Sequence, residues 1–200
     1  MQRISSKKIA FIALMSALGN VLAGISIYIG PIYPGVALDL SHITTFVAAL
    51  YGGPLTGFLV GFFGGIFPGF YFGWLGGSLA WLGLIGLPVG KSLTGLTAGA
   101  LYRFLKIEKR SRPSILTVPL ILLSFVPECL FTIFYFLNLM PYFLGIGGGL
   151  TMLGFVLPKA WAEIVFMSFL MAALVGNPGF GSFIRIFFAT AKSSSKSGVE

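Results

Sequence analysis

Residues 53–77 read GPLTGFLVGFFGGIFPGFYFGWLGG, 25 consecutive positions without Asp, Glu, Lys, Arg or His. Glycine recurs at every fourth position: Gly53, Gly57, Gly61, Gly65, Gly69, Gly73 and Gly77. A membrane helix needs roughly 20 apolar residues. Small residues four apart share one helix face and let a neighbouring backbone approach closely. The stretch therefore reads as a lipid-embedded span packed tightly in a bundle, or as a smooth helix past which neighbours slide and outer loops open. Pro54 and Pro68 lie between the rungs and predict a bend.

The rest of the 200-residue chain follows the same rule. Apolar residues make up 56%, charged residues 9%, and mean hydropathy is +0.97. A soluble domain carries about a quarter charged residues. The net charge of +8 sits in short basic segments between apolar ones, which excludes nucleic acid as the partner. The single cysteine, Cys129, excludes a disulfide framework or a cysteine metal cluster, and no metal site is expected. The basic start, Arg3, Lys7 and Lys8, resembles a signal peptide. However, the apolar run after it reaches about Ile29, beyond the usual ~7–15 residues, so it reads as a retained span.

Six spans follow: Ile9–Ile29, Asp39–Gly53, Leu55–Gly73, Ser78–Phe104, Ile115–Leu137, and Pro158–Gly176, the last opening on a favoured first-turn proline. The expected fold is all-α, a polytopic bundle of six transmembrane helices forming one domain over residues 1–192. Residues 193–200 read as a disordered tail. Eleven of the thirteen Lys and Arg residues fall on one side of this arrangement. The opposite loops, 31–38, 74–77 and 138–157, hold none. Both termini are therefore expected in the cytoplasm, the protein being multi-pass in the plasma membrane. Ser182–Lys192 reads as an interfacial helix with Phe183, Ile186 and Phe187 toward lipid, or as a continuation of span six past a kink.

Ionisable groups inside a span are costly unless paired or facing water, and each is a functional candidate. There are six: Asp39, His42, Lys91, Glu128, Lys159 and Glu163. At about 1.5 Å per residue, Lys91 lies some 18–20 Å and Glu128 roughly 14 Å below the outer edge. By the same rise, Lys159 lies at that edge and Glu163 about 7 Å in. Spans four, five and six thus bring these groups to one outward-facing cavity, with Trp81, Tyr135, Asn138 and Trp161 near it. Lys91 and Glu128 read as a buried ion pair or as ligand groups. A lysine preceding a glutamate in the first helical turn is a poor pair, so Lys159 reads as holding an anionic ligand group. Asp39 reads as an N-cap, His42 as an interfacial side chain, and the loop carrying Tyr33 as a gate.

Enzyme signatures fail. Gly90-Lys91-Ser92 lacks the earlier glycine of a phosphate loop, since Ile85 stands there. Gly145 to Gly149 does not follow a strand, and the single histidine excludes a zinc protease.

The stretch Leu38-Asp39-Leu40-Ser41-His42-Ile43, then Gly52-Gly53-Pro54-Leu55-Thr56-Gly57-Phe58-Leu59-Val60-Gly61, resembles the substrate-binding (S) components of energy-coupling factor transporters. Lys91-Ser92-Leu93-Thr94-Gly95 through Arg103 looks like the family's fourth span. Ala13 and Ala17, with Ala10 before them, are similar to the surface such proteins present to a scaffold subunit. The resemblance implies capture of a vitamin or similar small polar micronutrient from outside. Transport would be completed by a membrane scaffold and two cytoplasmic ATPases. ATP would be used by those partners, with no cofactor in this chain. The substrate would sit in the outer halves of spans four to six, below the loop joining spans one and two. A proton-coupled secondary transporter or channel using Glu128 and Glu163 is the alternative, and a small membrane enzyme a third.

Overall fold

The computed structural model describes residues 6–29, 31–33, 36–37, 39–76, 79–145 and 147–188, with backbone alone at 31–33 and 36–37. Arg3, Gly77, Lys192, the side chain of Tyr33 and the tail 193–200 lie outside the described residues. Five helical stretches are long and apolar enough to cross a membrane: Ser6–Ile29, Pro54–Leu75, Ala80–Lys109, Pro113–Leu144 and Gly149–Gly176. Large apolar side chains such as Leu14, Leu55, Leu130, Phe166 and Phe169 point outward along them, as a lipid-facing surface requires.

Helix α1 (Ser6–Ile29) buries Phe11, Ser16, Gly19, Ala23 and Ser26 and leaves Ala10, Ala13 and Ala17 exposed on the other side. A two-stranded hairpin, β1 (Pro31–Tyr33) and β2 (Val36–Ala37), follows where a plain loop was expected. Helix α2 (His42–Gly52) is only 11 residues long, about 16 Å by helical rise, and nine of them are buried. The chain leading into it, residues 39–41, is non-helical. At its far end the Arg103 guanidinium donates to the Gly52 carbonyl at 3.0 Å.

The glycine ladder runs through α3 (Pro54–Gly64), α4 (Ile66–Phe70) and a π-helical turn at Tyr71–Leu75. It lies along α5 (Ala80–Phe104) with backbones in contact. A Cβ on Gly61 would stand 2.5 Å from the Lys91 carbonyl oxygen, one on Gly65 2.6 Å from Pro88 Cα, and one on Gly69 2.6 Å from the Gly83 carbonyl oxygen. Gly57 and Gly95 face each other with the same intolerance. The ladder is thus a packing seam. The expected bend falls at Gly65, and Asn20 stabilises it. Its amide donates to the Phe63 carbonyl and accepts from the Phe67 N–H, standing in for the helical bond between those two residues.

A 3-10 turn (Ile107–Lys109) leads to α6 (Pro113–Ser124), α7 (Val126–Phe134), a second π-helical turn (Tyr135–Leu139) and α8 (Met140–Leu144). The span expected to end at Leu137 therefore runs past Asn138 and Pro141 to Leu144. Gly145 and Gly148, at φ of +64° and +93°, turn the chain in the left-handed region that glycine favours. Helix α9 (Gly149–Gly176) starts there, so Pro158 lies inside this span and does not open it. The reason is the solvent: residues 149–157 carry no charge and, in lipid, must satisfy their backbone groups within a helix.

After Asn177, whose side chain accepts from the Phe180 N–H at 3.0 Å, α10 (Pro178–Arg185) forms a separate short helix. Phe183 and Ile186 are exposed as expected, whereas Phe187 packs against Phe11 with ring centroids 5.4 Å apart. Arg185 pairs with Glu108 at 2.6 Å, which brings α10 to the same end as the basic 103–112 segment.

Two apolar cores result. One joins α1, α2, α5, α6, α9 and α10 around Phe11, Phe46, Ile121, Met167 and Ile184. The other gathers Leu79, Leu82, Tyr135, Phe136, Met140 and Leu153 toward the hairpin turns at the opposite end. Replacing Gly61 with Val should force the seam open at a cost of about 1–3 kcal/mol. In a detergent thermal melt the midpoint should fall by at least about 3 °C. Gly154→Val, where the structure leaves open space, should change it little.

Candidate functional site

Between the two cores lies a partly open cavity of about 140 Å³. All six ionisable groups predicted to be inside the spans line it: Asp39, His42, Lys91, Glu128, Lys159 and Glu163. They come from the 39–41 segment, α2, α5, α7 and α9. The remaining wall is apolar, with Phe72, Leu87, Phe131 and Phe136 among its members. Both π-helical turns contribute to that wall through Phe72 and Tyr135, a feature frequent at functional sites. Gly86 and Gly90 on α5 make room: a Cβ on Gly86 would collide with the Tyr135 ring, and one on Gly90 would touch Glu128 at 3.4 Å.

The non-helical 39–41 segment is held by side chains. The Asp39 N–H donates to Glu163 Oε1 at 2.6 Å, the Leu40 N–H to Ser26 Oγ at 3.1 Å, and the Ser41 N–H to Asp39 Oδ1 at 3.0 Å. Irregular backbone at membrane depth is tolerated where protein satisfies it in this way. The Asp39 carboxylate also pairs with the Lys91 ammonium at 2.6 Å, and Lys91 donates to Ser41 Oγ. Lys159 pairs with Glu163 at 3.0 Å. His42 Nε2 stands 3.5 Å from Glu128 Oε1, and the Thr94 hydroxyl donates to the other oxygen of Glu128.

Several expectations are corrected. The partner of Lys91 is Asp39 and not Glu128, because the 39–41 segment reaches down to α5. Lys159 and Glu163 do form a pair. The longer α9 places them ten and more residues from its start, so the unfavourable helix-end dipole does not apply. At about 1.5 Å per residue, Glu163 lies some 21 Å along α9 and Glu128 some 24 Å from the end of α8, deeper than expected. Asp39 does not cap α2, which starts at His42; its carboxylate instead accepts from the amide and hydroxyl of Ser41. His42 is buried, not interfacial.

Tyr135 is brought to the cavity as expected, whereas Trp81 and Asn138 are not. Trp81 is 42% exposed and meets Phe143, and the Asn138 amide donates back to the Phe134 carbonyl. Trp161 lies edge-on to Phe125, behind the wall. Sequence reasoning missed Ser26, Ser41, Thr94, Gly86 and Gly90. The paired glycines on α5 are the only one of these features with a signal in the sequence.

Long apolar helices around a partly charged cavity define a polytopic membrane protein that binds a small solute. The model of the family described as ECF transporter, substrate-specific component, matches residues 7–175, and the chain belongs to that family. It is accordingly the substrate-binding membrane subunit of an energy-coupling factor importer, a transport protein and not an enzyme, working with partner subunits and needing no cofactor of its own. No curated protein and no solved structure matches this chain at a significant level.

Removing one member of a buried ion pair leaves the other unpaired and costs about 3–5 kcal/mol. Lys91→Met should therefore lower the thermal midpoint sharply. Adding Asp39→Asn to it should restore much of the loss, since the amide keeps the contact with Ser41 without the charge. Additive losses in the double variant would show that the pair is not coupled.

Proposed function

We propose that this chain captures a small polar, vitamin-like nutrient from the outside in the 140 Å³ cavity and delivers it through a membrane scaffold driven by two cytoplasmic ATPases. The observation that carries the reading is the convergence of all six intramembrane ionisable groups on one cavity. Groups so costly in lipid are retained where they serve a solute. We assign substrate contact to Lys91, Glu128, Tyr135, Lys159 and Glu163, together with His42 and Asp39. Trp81 and Asn138, which lie off the cavity, drop out of this set.

In this reading the chain crosses the membrane six times. The short α2 and the 39–41 segment together make the second crossing, residues 1–192 form one membrane domain, and both termini are cytoplasmic. The gathering of Arg103, Glu108 and Arg185 at one end, beside the basic 106–112 segment, supports this orientation. The paired strands β1 and β2 then lie on the outside, on the loop that serves as the gate. The exposed face of α1 with Ala10, Ala13 and Ala17 is the docking surface for the scaffold, small side chains permitting close helix approach.

The test is uptake in liposomes. Substrate should accumulate only when the scaffold and ATPases are present with ATP; accumulation by this chain alone would instead establish a secondary transporter. Ala13→Leu with Ala17→Leu should reduce uptake at least about tenfold, the effect of some 1.4 kcal/mol on complex formation. Ligand-induced thermal stabilisation of the isolated chain should stay unchanged.

A further inference from the structure

Five glycines lie within α5, at positions 83, 86, 90, 95 and 99. Alanine is the better residue for a helix interior, so each of these glycines calls for a reason. Four have one in the packing. A Cβ on Gly83 would stand 2.7 Å from the Gly69 carbonyl oxygen, and one on Gly99 2.6 Å from the Pro54 nitrogen. A Cβ on Gly86 would collide with the Tyr135 ring, and one on Gly95 with the Gly57 carbonyl oxygen. No side chain fits at any of these positions.

Gly90 is the exception. The three atoms nearest to a Cβ there all belong to the Glu128 side chain, at 3.4 to 3.6 Å, an ordinary contact distance. The φ angle of Gly90 is not positive, so the backbone admits a side chain. The residue is buried, so it does not face lipid either. Neither packing, backbone conformation nor surroundings account for the missing methyl group.

Its position does. Gly90 and Glu128 both line the charged cavity. One Glu128 oxygen accepts from the Thr94 hydroxyl, and a methyl group at position 90 would lie against the other. Glu128 is also the more accessible member of its pair, its side chain 12% exposed against 7% for His42. A bare backbone at position 90 therefore leaves this carboxylate open from the α5 side, and an alanine would cover it while fitting the fold.

Resting on the capture function above, we propose that Gly90 is a specificity-determining residue. The substrate lies against the bare α5 backbone at this position, where it meets Glu128, and a single added methyl group shuts it out.

The experiment uses the full chain reconstituted in liposomes with its scaffold and ATPases. The vesicles are supplied with ATP and a mixture of thiamine, riboflavin, pyridoxine, nicotinamide, pantothenate, biotin and folate. Mass spectrometry of the vesicle contents identifies what the wild type accumulates. For that compound, Gly90→Ala should raise the half-saturating concentration at least about tenfold, the effect of one methyl group in a binding pocket, and leave the maximal rate near wild type. The thermal midpoint of the purified variant should hold or rise, because alanine is the better helix former. Gly83→Ala and Gly99→Ala, which meet backbone, should lower theirs. An unchanged half-saturating concentration in a stable Gly90→Ala variant overturns the role of Gly90 and leaves capture in the cavity standing. A midpoint lowered as in Gly83→Ala makes Gly90 a packing residue and overturns the proposal too. A wild type that accumulates none of the vitamins overturns the capture of such nutrients, and the role of Gly90 falls with it.

Discussion

A bare backbone amide cannot be left in lipid, and the structure around residues 39–41 is organised by that constraint. The chain there is not helical, yet it lies beside Ser26 of α1 and Glu163 of α9. Each of its three amides is taken by a side-chain oxygen, from Glu163, Ser26 and Asp39 in turn. The same Asp39 then neutralises Lys91, and the same Glu163 neutralises Lys159. Satisfying the backbone and pairing the charges are therefore one network. It ties the entry to α2 to α1, α5 and α9, and it sets the height at which α2 begins.

That network also makes the cavity. Were α2 a full span, apolar helix would fill the space beside Lys91 and Glu163. Because it is short, polar groups meet at its entry, while the glycine seam holds α3 and α5 in backbone contact. The two π-helical turns contribute Phe72 and Tyr135 to the cavity wall. Stability resides in the apolar cores at either end, and the cavity lies between them.

Much of this was legible in the chain itself. Charge-free runs identified the membrane helices, and the four-residue glycine repeat identified the seam, because lipid leaves close packing as the main attraction between helices. The six ionisable residues were recognisable for the same reason: each is an exception that the bilayer penalises. Their pairing was not legible, since it depends on an irregular segment and on helix ends. Pro158 resembled a start signal, but the apolar residues before it continue the helix, and this moved Lys159 and Glu163 inward. Trp81 and Asn138 were placed by depth alone, and depth does not say which side of a helix faces inward. Asn20, wedged into the bend at Gly65, left no sign in the sequence because its two partners are backbone groups of a distant helix.

The central claim is that the intramembrane charges surround a captured solute and do not merely neutralise one another. The most direct measurement is a high-resolution structure of the purified chain with its nutrient bound. The account predicts ligand density in this cavity, with polar atoms within about 3.2 Å of its ionisable side chains. A ligand bound outside this space, with the charged groups satisfied by one another alone, would contradict it.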